Sequence, residues 1–197
     1  MEKIITLKDP TSPAAEAYRA LRVNLMYATL DQPVKTLVIA APATEDNAPV
    51  PPDVAVNLAV VAAQAGQRVI LVDADLRHPL LHVLFGVPNA DGLAQAILGL
   101  EEKAALPLVE TAVPGLRLLT TGKVPPNPSD ILSSHKMAEL LERLKAQVSS
   151  MRFGYDARLR PKVESKDDMK KRGLPSPDEG DAVALAFAST SEPDMWL

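Results

Sequence analysis

The chain has 197 residues, enough for one hydrophobic core of ordinary domain size and little more. Its residues are 47% hydrophobic and 23% charged with a net charge of -4, so no general attraction to nucleic acid or anionic membrane is expected. It has no cysteine, which excludes disulfides and thiolate metal sites and suits a reducing cytoplasm. Since the start shows no signal-peptide pattern and the longest apolar stretch, 54–65, is too short to cross a bilayer, we expect a cytoplasmic protein.

The first predicted element is a helix that begins at Pro13, after two cap-like residues. Residues 36–41 (TLVIAA) are apolar and partly β-branched, which is typical of a buried strand. A second run of this kind, 68–72 (RVILV), follows a helical segment at 54–65. Strand, helix and strand at this spacing predict a βαβ unit and therefore a parallel sheet.

The α/β pattern continues to about residue 148, where the composition changes. Up to that point we predict a helix at 92–98, a strand at 116–120 and an amphipathic helix at 135–148. Beyond it we predict a hairpin at 152–156 and 159–163, a charged stretch at 166–172 and a small apolar helix at 181–188. The predicted division is a domain at 1–148, with an incomplete doubly wound parallel sheet and helices on both faces, and a small α+β tail at 149–197.

The connection after the first strand is where a parallel α/β sheet of this kind would bind phosphate. A P-loop there needs glycines whose N–H groups surround the phosphate, and a Lys-Ser/Thr pair that opens the helix. Residues 41–53 read APATEDNAPVPPD, with no glycine and no lysine. Asp53 adds a carboxylate at the start of the helix, where it favours capping by the protein itself. The segment is either a dismantled phosphate loop or simply a proline-rich surface loop.

A second candidate site lies at the end of the second strand, where Asp73 and Asp75 are two residues apart. Carboxylates at the carboxyl end of a parallel strand lie at the edge where α/β sheets bind ligands. The alternative is that this pair only caps the next helix.

Several segments resemble, in order, the P-loop tyrosine kinases that regulate bacterial capsule and exopolysaccharide assembly. The segments are EAYRALRVNL at 16–25, VNLAVVAAQAGQRVILVDADLRHP at 56–79, LFGVPNADGL at 84–93 and LLTTGKVPPNPSDIL at 118–132. The resemblance covers residues 10–147 and implies a P-loop NTPase fold. It also implies a membrane-embedded polysaccharide co-polymerase as adaptor, and hence a peripheral location at the inner membrane.

The resemblance assigns roles to five residues. Glu16, Arg19 and Arg22 match an oligomerisation motif and imply a homo-oligomer formed through the first helix. Asp73 and Asp75 match a nucleotide motif that serves Mg²⁺–ATP, and so imply catalytic and metal-binding roles.

The chain departs from the family at three places, which are the Lys-Ser/Thr pair, the apolar strand ending in Asp after residue 148, and the C-terminal tyrosine cluster. We therefore predict a catalytically impaired, oligomerising regulatory module that needs no cofactor. The alternative is an active kinase that binds Mg²⁺–ATP with Asp73, Asp75 and an unexpected lysine such as Lys35.

The tail at 152–188 resembles the end of the nuclease domain of phage large terminases, in which Asp181 matches a residue that helps bind the catalytic metals. This gives a third hypothesis, a DNA-processing fragment. Acidic residues interleave the basic ones of the tail, so a nucleic-acid partner is not expected. His78 and His82 lie at helical spacing, but without a further ligand we predict solvent-facing histidines, and we place His135 at a helix start.

Overall fold

A computed structural model describes seven stretches of the chain. They are residues 3–28, 36–41, 52–99, 105–146, 153–155, 161–163 and 182–189. At Ala41 and beyond residue 144 only the backbone is described.

The described residues form seven helices and seven strands. The helices are α1 (Ile5–Lys8), α2 (Pro13–Ala28), α3 (Asp53–Gln64), α4 (Leu81–Phe85), α5 (Leu93–Leu98), α6 (Pro128–Leu132) and α7 (His135–Ala146). The strands are β1 (Thr36–Ala41), β2 (Arg68–Asp73), β3 (Val109–Glu110), β4 (Leu116–Leu119), β5 (Phe153–Tyr155), β6 (Pro161–Val163) and β7 (Ala182–Ser189). Within these stretches, no helix is long and apolar enough to cross a membrane.

Five of the strands form one sheet, in the order β1-β7-β2-β4-β3. The first four run parallel, and β3 pairs antiparallel with β4 at one edge. This confirms the predicted α/β fold with a parallel sheet, and β5 and β6 confirm the predicted hairpin. Because the four parallel strands end at one edge, Ala41 lies beside Ser189, and Asp73 lies beside Phe187.

The predicted apolar helix at 181–188 is wrong, because residues Ala182–Ser189 form β7. This strand pairs with β1 on one side and β2 on the other. A strand between two parallel neighbours is covered on both faces, so its sequence reads as a continuous apolar run without alternation. The strand between β1 and β2 therefore comes from the segment at 149–197, which we predicted to be a separate tail. Asp181 itself lies outside the described residues.

Helices cover both faces of the sheet, as predicted. Alternate residues of β2 face opposite sides, so that Val69 and Leu71 join one hydrophobic cluster while Ile70 and Val72 join the other. The first cluster is completed by α3, Leu81 and Phe85, and the second by residues of α5, α6 and α7.

A buried polar link fixes the start of the chain to α3. The side-chain oxygen of Asn57 accepts hydrogen bonds from the backbone N–H and the hydroxyl of Thr6, at 3.0 Å and 2.8 Å. The Asn57 amide donates to the carbonyl of Asp53 at 2.8 Å. Both side chains are buried, and these bonds satisfy their polar atoms. The link holds α1 against the first turn of α3.

Candidate functional site

The candidate site lies at the carboxyl edge of β2. Asp73 is the last residue of this strand, and Asp75 follows in the turn that leads to α4. Both carboxylates are buried, with 1% of Asp73 and 4% of Asp75 exposed. This confirms that the two residues share the predicted edge of the sheet.

Backbone amides already occupy both oxygens of Asp73. Its Oδ1 accepts a hydrogen bond from the N–H of Asp75 at 3.3 Å. Its Oδ2 accepts from the N–H groups of Leu80 and Leu81, at 3.2 Å and 3.1 Å. Asp73 therefore caps the amino end of α4 from the preceding strand.

Asp75 organises the turn between β2 and α4. Its Oδ1 accepts hydrogen bonds from the N–H groups of Arg77 and His78, at 3.2 Å and 3.0 Å. The Nδ1 of His78 lies 3.9 Å from the same oxygen and forms an ion pair with it when protonated. Of the two aspartates, Asp73 thus bonds to the amino end of α4, and Asp75 bonds to the turn that precedes this helix.

Burial raises the pKa of Asp73 to about 6, and the neighbouring Asp75 carboxylate adds to the shift. The hydrogen bonds from the N–H groups of Leu81, Asp75 and Leu80 act in the opposite direction, because they stabilise the charged form. Removal from water is the larger effect. The carboxyl group therefore changes its charge close to neutral pH.

Asp73 should make the protein more stable in mild acid than at neutral pH. Its folded-state pKa of about 6 is above the ordinary value of 3.8, so the folded state binds the proton more tightly. The stabilisation is complete below pH 3.8 and is lost as the pH rises through 6, a change of about 3 kcal/mol. The check is urea unfolding of the wild type and Asp73→Asn from pH 4 to 7.5.

The difference in free energy of unfolding between the two proteins should change across this range by most of that amount, since pH 4 is slightly above the ordinary pKa of 3.8. Glu110→Gln serves as the control, because Glu110 is exposed on an edge strand. A difference between wild type and Asp73→Asn that stays constant with pH would contradict the burial effect.

The turn at 120–123, which follows β4, forms one side of the candidate site beside Asp73. We call this turn the wall of the site. The hydroxyl of Thr121 donates to the carbonyl of Asp73 at 3.5 Å. Asn89 holds the turn through two bonds with Gly122, accepting from its N–H at 2.7 Å and donating to its carbonyl at 3.2 Å. Gln95 makes the same pair of bonds with Lys123. It accepts from the N–H of Lys123 at 3.1 Å and donates to its carbonyl at 3.2 Å. We did not predict this wall from the sequence, although it lies within a segment that carried the family resemblance.

The predicted phosphate loop falls mostly on residues 42–51, which lie outside the described residues. Its end is described, with Pro52 as the N-cap of α3 and Asp53 as the first helical residue. Asp53 thus lies at the helix start, as predicted. Burial and then the Asp53 carboxylate raise the pKa of Tyr18, which places this tyrosine of α2 near the start of α3.

The described residues include no group of three or more His, Asp or Glu side chains that is suited to holding a metal ion. Of the three predicted metal ligands, Asp73 and Asp75 lie together, and Asp181 is outside the described residues. Among the described residues, Oδ1 of Asp73 accepts one hydrogen bond, and a carboxylate oxygen can accept more than one. The role of Asp73 and Asp75 in binding Mg²⁺–ATP stays a prediction.

The predicted oligomerisation residues lie on α2. Arg19 pairs with Glu16 at 2.5 Å and donates to the carbonyl of Pro10 at 2.7 Å. Ser12 caps the helix by accepting from the N–H of Ala15. The motif is therefore part of the local structure of α2, and its role in assembly stays a prediction.

The histidines differ in their surroundings. His135 begins α7, as predicted, and its Nδ1 lies 2.9 Å from Oε1 of Glu139. His82 fits the prediction of a solvent-facing side chain only in part, because the residue is half-buried and its Nδ1 is buried without a hydrogen-bond partner among the described residues. The side chain of His78 is 44% exposed. The buried residues of α4 that face the core are Leu81 and Phe85.

No family model matches the chain. It is 37% identical over 142 residues to the tyrosine-protein kinase YwqD of Bacillus subtilis, covering 70% of this chain and 56% of YwqD. It is 37% identical over 138 residues to the tyrosine-protein kinase etk of Escherichia coli K12, covering 70% of this chain and 18% of that kinase. The chain thus spans a little over half of one relative and a small part of the other.

Solved structures match more of the chain. The kinase domain of Escherichia coli tyrosine kinase ETK has a TM-score of 0.66 and 28% identity, covering 94% of this chain and 59% of that domain. The chimerical protein CapA2B2 has a TM-score of 0.63 and 25% identity, covering 100% of this chain and 69% of its own. The structural similarity therefore includes β7, whereas the sequence similarity leaves nearly a third of the chain unmatched.

Proposed function

Because about two thirds of this chain is homologous to the bacterial tyrosine-protein kinases, we propose that it is a self-associating interaction module derived from them that no longer transfers phosphate. The observation that carries the proposal is the connection from β1 to α3. It contains neither the glycines nor the lysine with which a P-loop holds phosphate.

The chemistry of that connection opposes nucleotide binding. Pro49, Pro51 and Pro52 have no N–H to donate, and Glu45, Asp46 and Asp53 add negative charge. A helix start binds phosphate through free N–H groups and its positive dipole end. With Asp53 in the first turn of α3, a carboxylate of the protein already lies in that field.

The second motif supports the same conclusion. Asp73 and Asp75 accept five hydrogen bonds from backbone N–H groups, and these bonds build the turn into α4. Retention of the two aspartates is then explained by folding, without a catalytic role. The protein keeps the scaffold of a kinase domain while the groups for phosphate transfer are missing or engaged elsewhere.

For its partners we propose further copies of the chain through α2, with Arg22 as the contact residue to test, and a polysaccharide co-polymerase adaptor at the membrane. Glu16 is exposed and Arg19 is half-buried, and the two form an ion pair with each other. They must break this ion pair to make contacts across such an interface. Capsule or exopolysaccharide assembly is then the process that the module regulates.

Calorimetric titration of the folded full chain with Mg²⁺–ATP and Mg²⁺–ADP tests the loss of nucleotide binding. We expect no binding heat at micromolar concentrations, because the loop offers no phosphate ligands. Circular dichroism of the same sample confirms that it is folded, and Asp73→Asn is the matched variant. Micromolar binding that disappears in Asp73→Asn would refute the proposal and favour the active kinase, with Lys35→Met as the next variant.

The DNA-processing hypothesis has a separate test. It requires metal-dependent DNA cleavage that Asp181→Ala abolishes. The described part of the tail supports the sheet instead, since β7 lies between β1 and β2.

A further inference from the structure

The strand β1 lies at the edge of the five-stranded sheet. Its neighbour is β7, and no other described strand pairs with it. Within the part of the chain that the structure describes, the outer side of β1 therefore has a row of backbone N–H and C=O groups that no strand pairs with. Such an edge is a template for pairing with another chain.

The sequence and register of β1 have none of the local features that protect sheet edges in monomers. Its six residues, TLVIAA, include no charge and no proline, and they pair with β7 in regular register without a bulge. The opposite edge differs, because β3 has only two residues and includes the charged Glu110.

The face of β1 is also incompletely covered. Val38 lies in register with Ala186, and Ala186 with Val72, so Val38 and Val72 occupy the same level of the sheet. Val72 is buried by the helices of the second cluster, whereas 64% of Val38 is exposed. The hydroxyl oxygen of Thr36 is buried and has no partner among the described residues. An apolar strand with an uncovered face and an open edge is suited to association.

We propose that β1 pairs antiparallel with β1 of a second copy, so that two sheets join into one across a two-fold axis. Antiparallel pairing of identical strands is self-complementary, and a pair centred on Val38 places the two Val38 side chains opposite each other. The strand is uncharged, so no like charges meet. This surface is separate from α2, and the inference does not depend on the loss of nucleotide binding.

The test is the molar mass of the full chain by sedimentation equilibrium, with Val38→Lys as the variant. Two lysines opposite each other repel, and we expect the mass to fall to half that of the wild type. Val83→Lys is the matched control, since Val83 is 63% exposed on α4 and makes the same change of charge. An equimolar mixture of Val38→Lys and Val38→Glu should restore the wild-type mass.

A second measurement locates the contact. The chain has no cysteine, so Val38→Cys introduces a single thiol that should oxidise to a covalent dimer, whereas Val83→Cys should stay reduced. The variant Arg22→Glu changes α2 and leaves β1 unaltered. It therefore distinguishes association through α2 from association through β1. A monomeric wild type, a mass unchanged in Val38→Lys, or equal cross-linking of both cysteine variants would overturn the proposal.

Discussion

Replacing Ala184 by proline should lower the free energy of unfolding by at least about 3 kcal/mol. Ala184 lies in the middle of β7, in register with Thr36 of β1 and Ile70 of β2. Proline has no N–H for the ladder, and its ring does not fit a strand that has neighbours on both sides. Since β7 is the described neighbour of β1, the amides of β1 should also lose their protection from hydrogen exchange.

The measurements are urea unfolding and hydrogen exchange of residues 36–41. Glu110→Pro is the control, because β3 is an edge strand where proline is tolerated, and its effect should stay near 1 kcal/mol. Full protection of β1 in Ala184→Pro would show that β7 does not hold the sheet together.

The prediction that failed for β7 shows where sequence patterns are ambiguous. Residues 182–189 read AVALAFAS, and their alanines favour a helix by intrinsic propensity. A continuous apolar run of seven residues, 182–188, fits a fully buried strand equally well, and periodicity alone does not separate the two. Pairing with β1 and β2, both more than a hundred residues away along the chain, decides the outcome. Propensity is overridden here by tertiary context.

The candidate site was predicted in position but not in its contacts. The apolar run that ends at Asp73 defines a strand, and the edge rule for parallel sheets then places the two carboxylates. Their hydrogen bonds depend on α4, a helix of five residues that has no pattern long enough to be recognised. The turn at 120–123 was missed because its partners, Asn89 and Gln95, are distant in sequence and show no periodic signal.

The structural match to kinase domains extends over more of the chain than the sequence match does. The strand β7, which lies in the tail where we stated no resemblance to the kinases, occupies an interior position in this sheet. A central strand is selected mainly for apolar character and length, since its contacts are backbone ladders and buried faces. Catalysis requires particular groups at particular points, and those are missing from the loop after β1.

The second large effect should come from Gly92→Ala, which we expect to cost at least about 3 kcal/mol. A Cβ at Gly92 would overlap the backbone carbonyl of Thr120 and the N–H of Gly122. Neither atom can give way, because the N–H groups of Leu93 and Ala94 donate to the carbonyls of Thr120 and Thr121, at 2.7 Å and 3.0 Å. Relieving the overlap leaves these buried groups without partners, at about 1–3 kcal/mol each.

Gly99→Ala is the matched control, because Gly99 closes the other end of α5 and its added Cβ would meet, among the described residues, only the Gln95 carbonyl, at 3.1 Å. Thermal and urea unfolding should separate the two variants by several kcal/mol. The turn that Gly92 supports also carries Thr121, which donates to the carbonyl of Asp73. Gly92→Ala should therefore loosen the wall beside Asp73, with faster hydrogen exchange at 120–123. Equal stability of the two glycine variants would mean that the turn after β4 is not packed against α5, and that the wall of the site is not fixed by this contact.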